Sequence, residues 1–496
     1  MFVAFRADAS FRTGSGHVAR CRRLAARLRE VGHETLFLIR DPAEELHRTL
    51  AEEGCQVSPL ACSSAEVVEA EDVEAARAAL GGRRPDWLVV DHYALGRDWE
   101  THMRSAAARI LAIDDLGRPH DCDLLLDQGW LGDATDAYPG VTGEKLLGPR
   151  FALLPSAFAE LRRQPRWRDG RIARVLVFFG GADGTGQTLQ VLNAIDDAAF
   201  AGLRFDVVVG ANNVRAEEIR RRAAPLPNVH LTAPLETLAG MMSEADLFVG
   251  AGGGTTWERC CVGLPAIVCW TAENQKAQTL AVADMGIQVQ LGSGVDLTPL
   301  TWRAVLLSTL ADPAPLQHGA GRGMALVDGR GAERVARRLD TPALTLRPAC
   351  ADDEAILLEW ANDPDMRNNS FSRATITPDQ HHAWFMRKLG DPDTYIWIGC
   401  AGGEEVGQVR FDCHGGKAMV DISISRQCRG RGYGVALLGN AMRKFHAAGR
   451  REVIEAEVLE ANQASHRLFI AAGFECVSDR ADERGSFRYT LKGGSK

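Results

Sequence analysis

Short apolar runs recur along the first 340 residues, each closed by a glycine or a polar turn. Met1–Phe5, Trp87–Val90, Val175–Phe179 and Leu247–Val249 lack the alternation of a half-exposed strand. They predict strands buried on both faces, as in parallel sheets. Helical patterns lie between them, such as Val18–Glu30, with Leu24, Ala25 and Leu28 on one face. Strand and helix alternating in this way predict doubly wound α/β layers. The basic stretch LRRQPRWRDGRIAR (161–174) reads as a linker, which divides this part into Rossmann-like lobes over 1–165 and 171–340. After Asp340-Thr341-Pro342 the pattern changes. Strands are predicted at Thr394–Cys400, Glu405–Asp412 and Ala418–Ser425, then a helix (434–447), a strand (452–458) and a helix (462–472). The segment 344–496 is therefore read as an α+β domain.

Composition agrees with a soluble chain of about three domains of roughly 150 residues each. Of the 496 residues 46% are hydrophobic and 25% charged, which argues against long disorder. The formal charge of −8 gives no basic excess for a nucleic-acid partner. The start MFVAFRADAS lacks the layout of a secretory signal, and no apolar run reaches membrane-spanning length, so a membrane partner is not expected. Twelve cysteines without a CxxC pair read as reduced thiols of a cytoplasmic protein. Cys260-Cys261 reads as helix packing, and no metal is expected.

Several clusters carry candidate chemistry. Arg6 and Asp8 follow the first strand, then Gly14, Gly16 and His17 open a helix. Glycines there admit a ligand to the backbone, helix N-terminal amides favour anions, and a histidine can serve as a base. A tight turn with a locally bonded His17 explains the same residues. Asp91-His92-Tyr93 ends a strand, followed by Trp99 and Glu100. Asp114, Asp115, His120, Asp121, Asp123 and Asp127 come next. Strand-end polar groups are ligand candidates, whereas Asp114 and Asp123 are better read as closing turns or capping helices. Gly180 and Gly181 follow the third strand. Gly252, Gly253, Thr255, Thr256 and Glu258 follow the fourth, with Glu273, Asn274 and Gln275 further on. Backbone amides and hydroxyls there suit a diphosphate, and Glu258 could accept two ribose hydroxyl protons. Neither a P-loop nor a GxGxxG fingerprint is present. A nucleoside-diphosphate sugar between two lobes is the reading these clusters support.

RADAS…GSGHVARC, DHY…WE, IDDLGRPHDCDLLLDQ, LLGPRFALL, FFGGAD, GAGGGTTWERCCVGLPAIV and AENQ occur in that order over residues 1–340. Together they resemble the UDP-sugar hydrolase family of pseudaminic acid biosynthesis. That family removes UDP from UDP-2,4-diacetamido-2,4,6-trideoxy-β-L-altropyranose. The resemblance implies the two-lobed GT-B fold, with a nucleoside-binding half similar to that of MurG-type transferases. It implies that His17 activates the attacking water and that Tyr93 and Asn274 stand beside the sugar. Glu258 would bind the ribose, and Gly253, Thr255 and Thr256 the diphosphate. Arg6, Asp8, Gly14, Gly16, Gly180, Gly181, Gly252, Glu273 and Gln275 complete the expected substrate- and UDP-binding set. A single base with no enzyme nucleophile suits direct displacement with inversion. Gly129, where the family usually has asparagine, and Pro155-Ser156, where arginine is usual, depart from the pattern.

In 344–491 the run Ile422-Ser-Ile424 leads into Arg429-Gly430-Arg431-Gly432-Tyr433-Gly434 and a helix. Such a loop aims backbone amides at a pyrophosphate, with arginines adding charge. Asn462, Ser465, Phe469 and Gly473-Phe474 follow. The ordered set resembles the GNAT acetyltransferases. With Trp360, Asn362, Pro364, His382 and Trp384 it is similar to the subgroup that acetylates the 4-amino group of the same UDP-sugar. The resemblance implies acetyl-CoA as co-substrate, its pyrophosphate on Arg429–Gly434 and its channel lined by Asn462 and Ser465. Many members carry a tyrosine acid at Phe469, which cannot donate a proton. The expectation is a bifunctional enzyme. The same hydrolase with a non-catalytic, acetyl-CoA- or partner-binding third domain, or a GT-B glycosyltransferase, also fits the motifs. Oligomeric state is not readable.

Overall fold

The structure is a computed structural model describing residues 1–8, 16–64, 66–130, 132, 137–141, 143–341, 344–430, 432–478, 481–482 and 484–491. Two compact units, Met1–Ala336 and Arg337–Lys496, divide the chain.

The first unit holds two all-parallel sheets. In the first, strands run in the order Gln56–Leu60, Glu34–Arg40, Phe2–Ala7, Trp87–Asp91, Ile110–Ile113, Leu124–Asp127, Glu144–Leu147. In the second the order is Val229–Thr232, Arg204–Val208, Arg174–Phe178, Leu247–Ala251, Ala266–Trp270, Val289–Ser293. Both reverse direction beside their first strand, the Rossmann pattern. The crevice at that reversal, outside the carboxyl ends of the strands, is where such sheets bind ligands. The absence of alternation has its cause here. Val175 and Val177 enter one core and Leu176 the core on the opposite face, so every position is apolar.

Ala152, Leu154 and Phe158 share a core with Phe248 and Trp257 of the second lobe. The basic stretch beyond is tied down as well. Arg168 donates to the carbonyls of Met242, Ala245, Val262 and Gly263.

The second unit is built on a mixed sheet ordered Leu344–Pro348, Thr394–Ala401, Glu404–His414, Lys417–Ile424, Val453–Leu459, Ser486–Leu491, Glu475–Cys476. All neighbours are antiparallel except Lys417–Ile424 with Val453–Leu459. That parallel pair is joined only at Lys417–Val453, Ala418–Ile454 and Met419–Glu455. Beyond it the strands part, leaving a gap between Val420–Ile424 and Ala456–Leu459. All twelve cysteines are free. No helix among the described residues is long and apolar enough to cross a membrane.

Candidate active site

His17 stands near the start of the helix Gly16–Glu30, directly after the first strand, and Asp91 ends the neighbouring strand. Parallel pairing brings them together at the reversal of the first sheet. His17 Nδ1 lies 2.6 Å from Asp91 Oδ1, and both side chains are buried. One turn along the helix, Arg20 donates to Asp91 Oδ2 (2.5 Å) and Oδ1 (2.7 Å) and to Asp115 Oδ2 (3.1 Å). Burial works to raise the Asp91 carboxyl, but Arg20 and His17 hold it well below the usual range. Asp91 is therefore a carboxylate that accepts from His17 Nδ1–H. In the neutral imidazole this bond puts the lone pair on Nε2, the tautomer a base requires.

The Tyr93 ring meets His17 edge-on, with centroids 4.5 Å apart. Burial, helped by Asp115, pushes its phenol up to about 12, so it stays protonated. Asn274 of the second lobe donates to the Tyr93 hydroxyl at 3.3 Å. The three residues expected at the reaction centre are thus joined across the two lobes. Arg23, a further turn along the helix of His17, donates to Glu258 Oε1 of the second lobe at 2.8 Å. Burial raises the Glu258 carboxyl, opposed by Arg23.

The glycine loop of the second lobe is tightly cast. A Cβ on Gly252 would stand 2.1 Å from Thr279 Oγ1, and one on Gly253 would stand 3.1 Å from Gln275 Nε2. Gln275 Oε1 accepts from Thr271 N at 3.0 Å. Thr255 and Thr256 begin the helix Thr255–Cys261, with Thr256 buried. Gly180, at φ +86°, and Gly181 have open space where a side chain would be. So does Gly16.

Other expected site residues have partners of their own. Arg6 is fully buried and donates to Asp8 (2.6 and 2.8 Å) and Asp72 (2.5 and 3.0 Å). Glu273 is exposed and pairs with Lys276. Gly14 and Arg431 lie outside the described residues. Asp114 closes a turn, accepting from the amides of Leu116 and Arg118. Among the described residues no group of three or more His, Cys, Asp or Glu side chains could hold a metal ion. Sequence reasoning missed Asp91 as the partner of His17, and missed Arg20 and Arg23. The spacing 17, 20, 23 along one helix face is the signal for the two arginines.

In the second unit, Ile422 and Ile424 lie on the strand segment that diverges from Val453–Leu459. The loop after it turns through Gly430 (φ +75°) and Gly432 (φ +86°) into the helix Tyr433–Ala447, with Tyr433 buried. Gly434 has a packing reason, since a Cβ would stand 2.6 Å from Leu468 Cδ1. Arg429 donates to Asp363 Oδ1 (2.7 Å), Asp365 Oδ2 (2.9 Å) and Ile424 O (3.1 Å). Asn462 caps the helix Gln463–Ala471 by accepting from Ser465 N. Phe469 is buried against Phe474 (5.1 Å between centroids) and Tyr489 (6.0 Å).

Residues 343–475 match the acetyltransferase (GNAT) domain family, for which acetyl-CoA is the co-substrate. The spore coat polysaccharide biosynthesis protein SpsG of Bacillus subtilis is 27% identical over 344 residues, 68% of this chain and 96% of that protein. The UDP-2,4-diacetamido-2,4,6-trideoxy-beta-L-altropyranose hydrolase of Campylobacter jejuni is 22% identical over 294 residues, 58% of this chain and 99% of that protein. Among solved structures, MurG of Acinetobacter baumannii superposes with a TM-score of 0.51 at 14% identity, covering 68% of this chain and 99% of that one. The chain is thus a two-lobed region homologous to a UDP-sugar hydrolase, with the GT-B fold of MurG, followed by a GNAT acetyltransferase domain.

Proposed function

We propose that the two lobes hydrolyse UDP-2,4-diacetamido-2,4,6-trideoxy-β-L-altropyranose to UDP and free sugar. The third domain, in this reading, N-acetylates the 4-amino UDP-sugar from which that substrate is made. The observation that carries the hydrolase reading is the buried His17–Asp91 pair beside Tyr93 and Asn274. His17 Nε2 takes a proton from water as the water oxygen bonds to the anomeric carbon. The bond from that carbon to the diphosphate oxygen breaks, and its electron pair leaves with UDP. The diphosphate is a stabilised anion, so a placed base and an anion cradle suffice, and attack opposite the leaving group inverts the centre. Glu258 takes the ribose and the loop Gly252–Thr256 the diphosphate. The test supplies the 4-amino UDP-sugar with acetyl-CoA and follows products by mass spectrometry. Wild type should yield acetylated UDP-sugar, then UDP and free sugar. His17→Ala should stop at the acetylated UDP-sugar. Sugar transferred to an added acceptor instead of water would replace the hydrolase by a glycosyltransferase.

Phe469 favours a second reading of the third domain, as an acetyl-CoA-binding module without turnover. Its ring is sealed in the core and offers no proton to a departing thiolate. Thiol release above background with both substrates present eliminates that reading.

A further inference from the structure

Arg259 is a buried cation that makes no ion pair with any carboxylate among the described residues. It lies on the helix Thr255–Cys261 and is 1% exposed. One terminal nitrogen donates to Thr256 Oγ1 (3.2 Å) and Gln288 Oε1 (2.9 Å), both neutral acceptors. Its Nε has no hydrogen-bond partner, and no carboxylate among the described residues pairs with it. Glu258, its neighbour in sequence, bonds to Arg23 instead. The Phe248 ring, 5.0 Å from the guanidinium carbon, adds only a cation–π contact. A guanidinium taken out of water without an ion-pair partner is costly, and burial pulls its pKa down to about 10, with the charge of Glu258 opposing the shift. Packing alone would be better served by an apolar side chain of that length.

The hydrogen bonds show what Arg259 is attached to. Gln288 Nε2 donates to Thr279 O (3.0 Å), and Thr279 Oγ1 donates to Gly252 O (3.2 Å). With the bond to Thr256, this forms a buried chain that begins and ends on the loop Gly252–Thr256. We infer that Arg259 is a positioning residue of the diphosphate site: it pins the glycine–threonine loop from behind and supplies, through a low-dielectric interior, the charge that a bound diphosphate answers. The inference rests on the reading of that loop as the UDP site. It makes the missing anion the ligand itself, and the instability of the empty site part of its affinity.

The test measures UDP affinity by calorimetry, and melting with and without UDP, on the full chain. Arg259→Met removes the charge and keeps the bulk. UDP binding should weaken about 10- to 100-fold while the UDP-free protein melts no lower than wild type. Arg259→Lys, which keeps the charge, should bind UDP within about threefold of wild type. Wild-type UDP affinity in Arg259→Met overturns the inference. So does lower melting with affinity retained, the mark of a merely structural arginine. If Arg259→Met does not fold, Arg259→Gln replaces it under the same criterion. Failure of wild type to bind UDP removes the loop reading and this inference together.

Discussion

His17 and His120 share a lobe, and each has a carboxylate on Nδ1, but their surroundings differ. Asp91, beside His17, is also held by two bonds from Arg20. His120 has Glu100 Oε1 at 2.7 Å from Nδ1 and Asp114 Oδ2 at 3.7 Å from Nε2. Burial opposes its charge, but the two carboxylates prevail and raise it to about 9. It is therefore an imidazolium inside the fold at neutral pH. A raised folded-state value contributes stability that is whole below about 6.5 and is lost as pH rises through about 9. The change is at most ~3 kcal/mol. From about pH 8 upward, the buried thiols Cys122, Cys261 and Cys269, each pushed up to about 12, add to the loss as they ionise in the unfolded chain. Urea midpoints measured between pH 6 and 8 should fall steadily for wild type. In His120→Gln the slope should be nearly flat, from a lower start. Equal slopes in the two proteins would show that His120 is neutral in the folded state.

At the scale of elements, the glycine loop of the second lobe is fixed by one crowded approach. Thr279, fully buried, donates to Gly252 O from 3.2 Å and fills the space a Cβ would take. Neither side can yield without moving the loop. Gly252→Ala should cost about 1–3 kcal/mol and abolish the UDP-induced rise in melting temperature. Gly254→Ala, at φ −56° with open space around the new Cβ, should leave both almost unchanged. A Gly252→Ala protein that melts and responds to UDP like wild type would refute the steric account. The loop was legible as a sequence because glycine, threonine and an apolar strand stand together in one short run. Some strands with both faces buried were equally legible, such as Leu247–Val249, which the structure extends to Ala251, whereas the equally buried Ile110–Ile113 and Leu124–Asp127 were not read. The edge strand Gln56–Leu60 was not read either: it carries Pro59 and mixed polarity, which an edge tolerates because one side of its backbone stays unpaired. Asp91 was visible as a strand-end carboxylate, but its partnership with His17 spans 74 residues. Only the strand order, which sets Trp87–Asp91 beside Phe2–Ala7, brings the two together.

For the whole molecule, the net charge of −8 says little about how two phosphorylated ligands would be held. In the proposed reading local features do that work: the loop Gly252–Thr256 backed by Arg259 in one unit, and the turn through Gly430 and Gly432 beside diverging strands in the other. Each unit has its own apolar core, around Val177 and Phe248 in the first and Phe411 and Phe445 in the second. A ligand that binds a folded state stabilises the cooperative unit that contains its site, by about 2.7 kcal/mol when present at 100 times its dissociation constant. Differential scanning calorimetry of the full chain should therefore resolve ligand-specific shifts. UDP should raise the transition of Met1–Ala336, and acetyl-CoA that of Arg337–Lys496. With both present the shifts should add, because the residues proposed for each ligand belong to one unit. Gly252→Ala should lose the UDP shift alone. Acetyl-CoA moving the UDP-sensitive transition as far as its own would instead mean that the two units unfold as one.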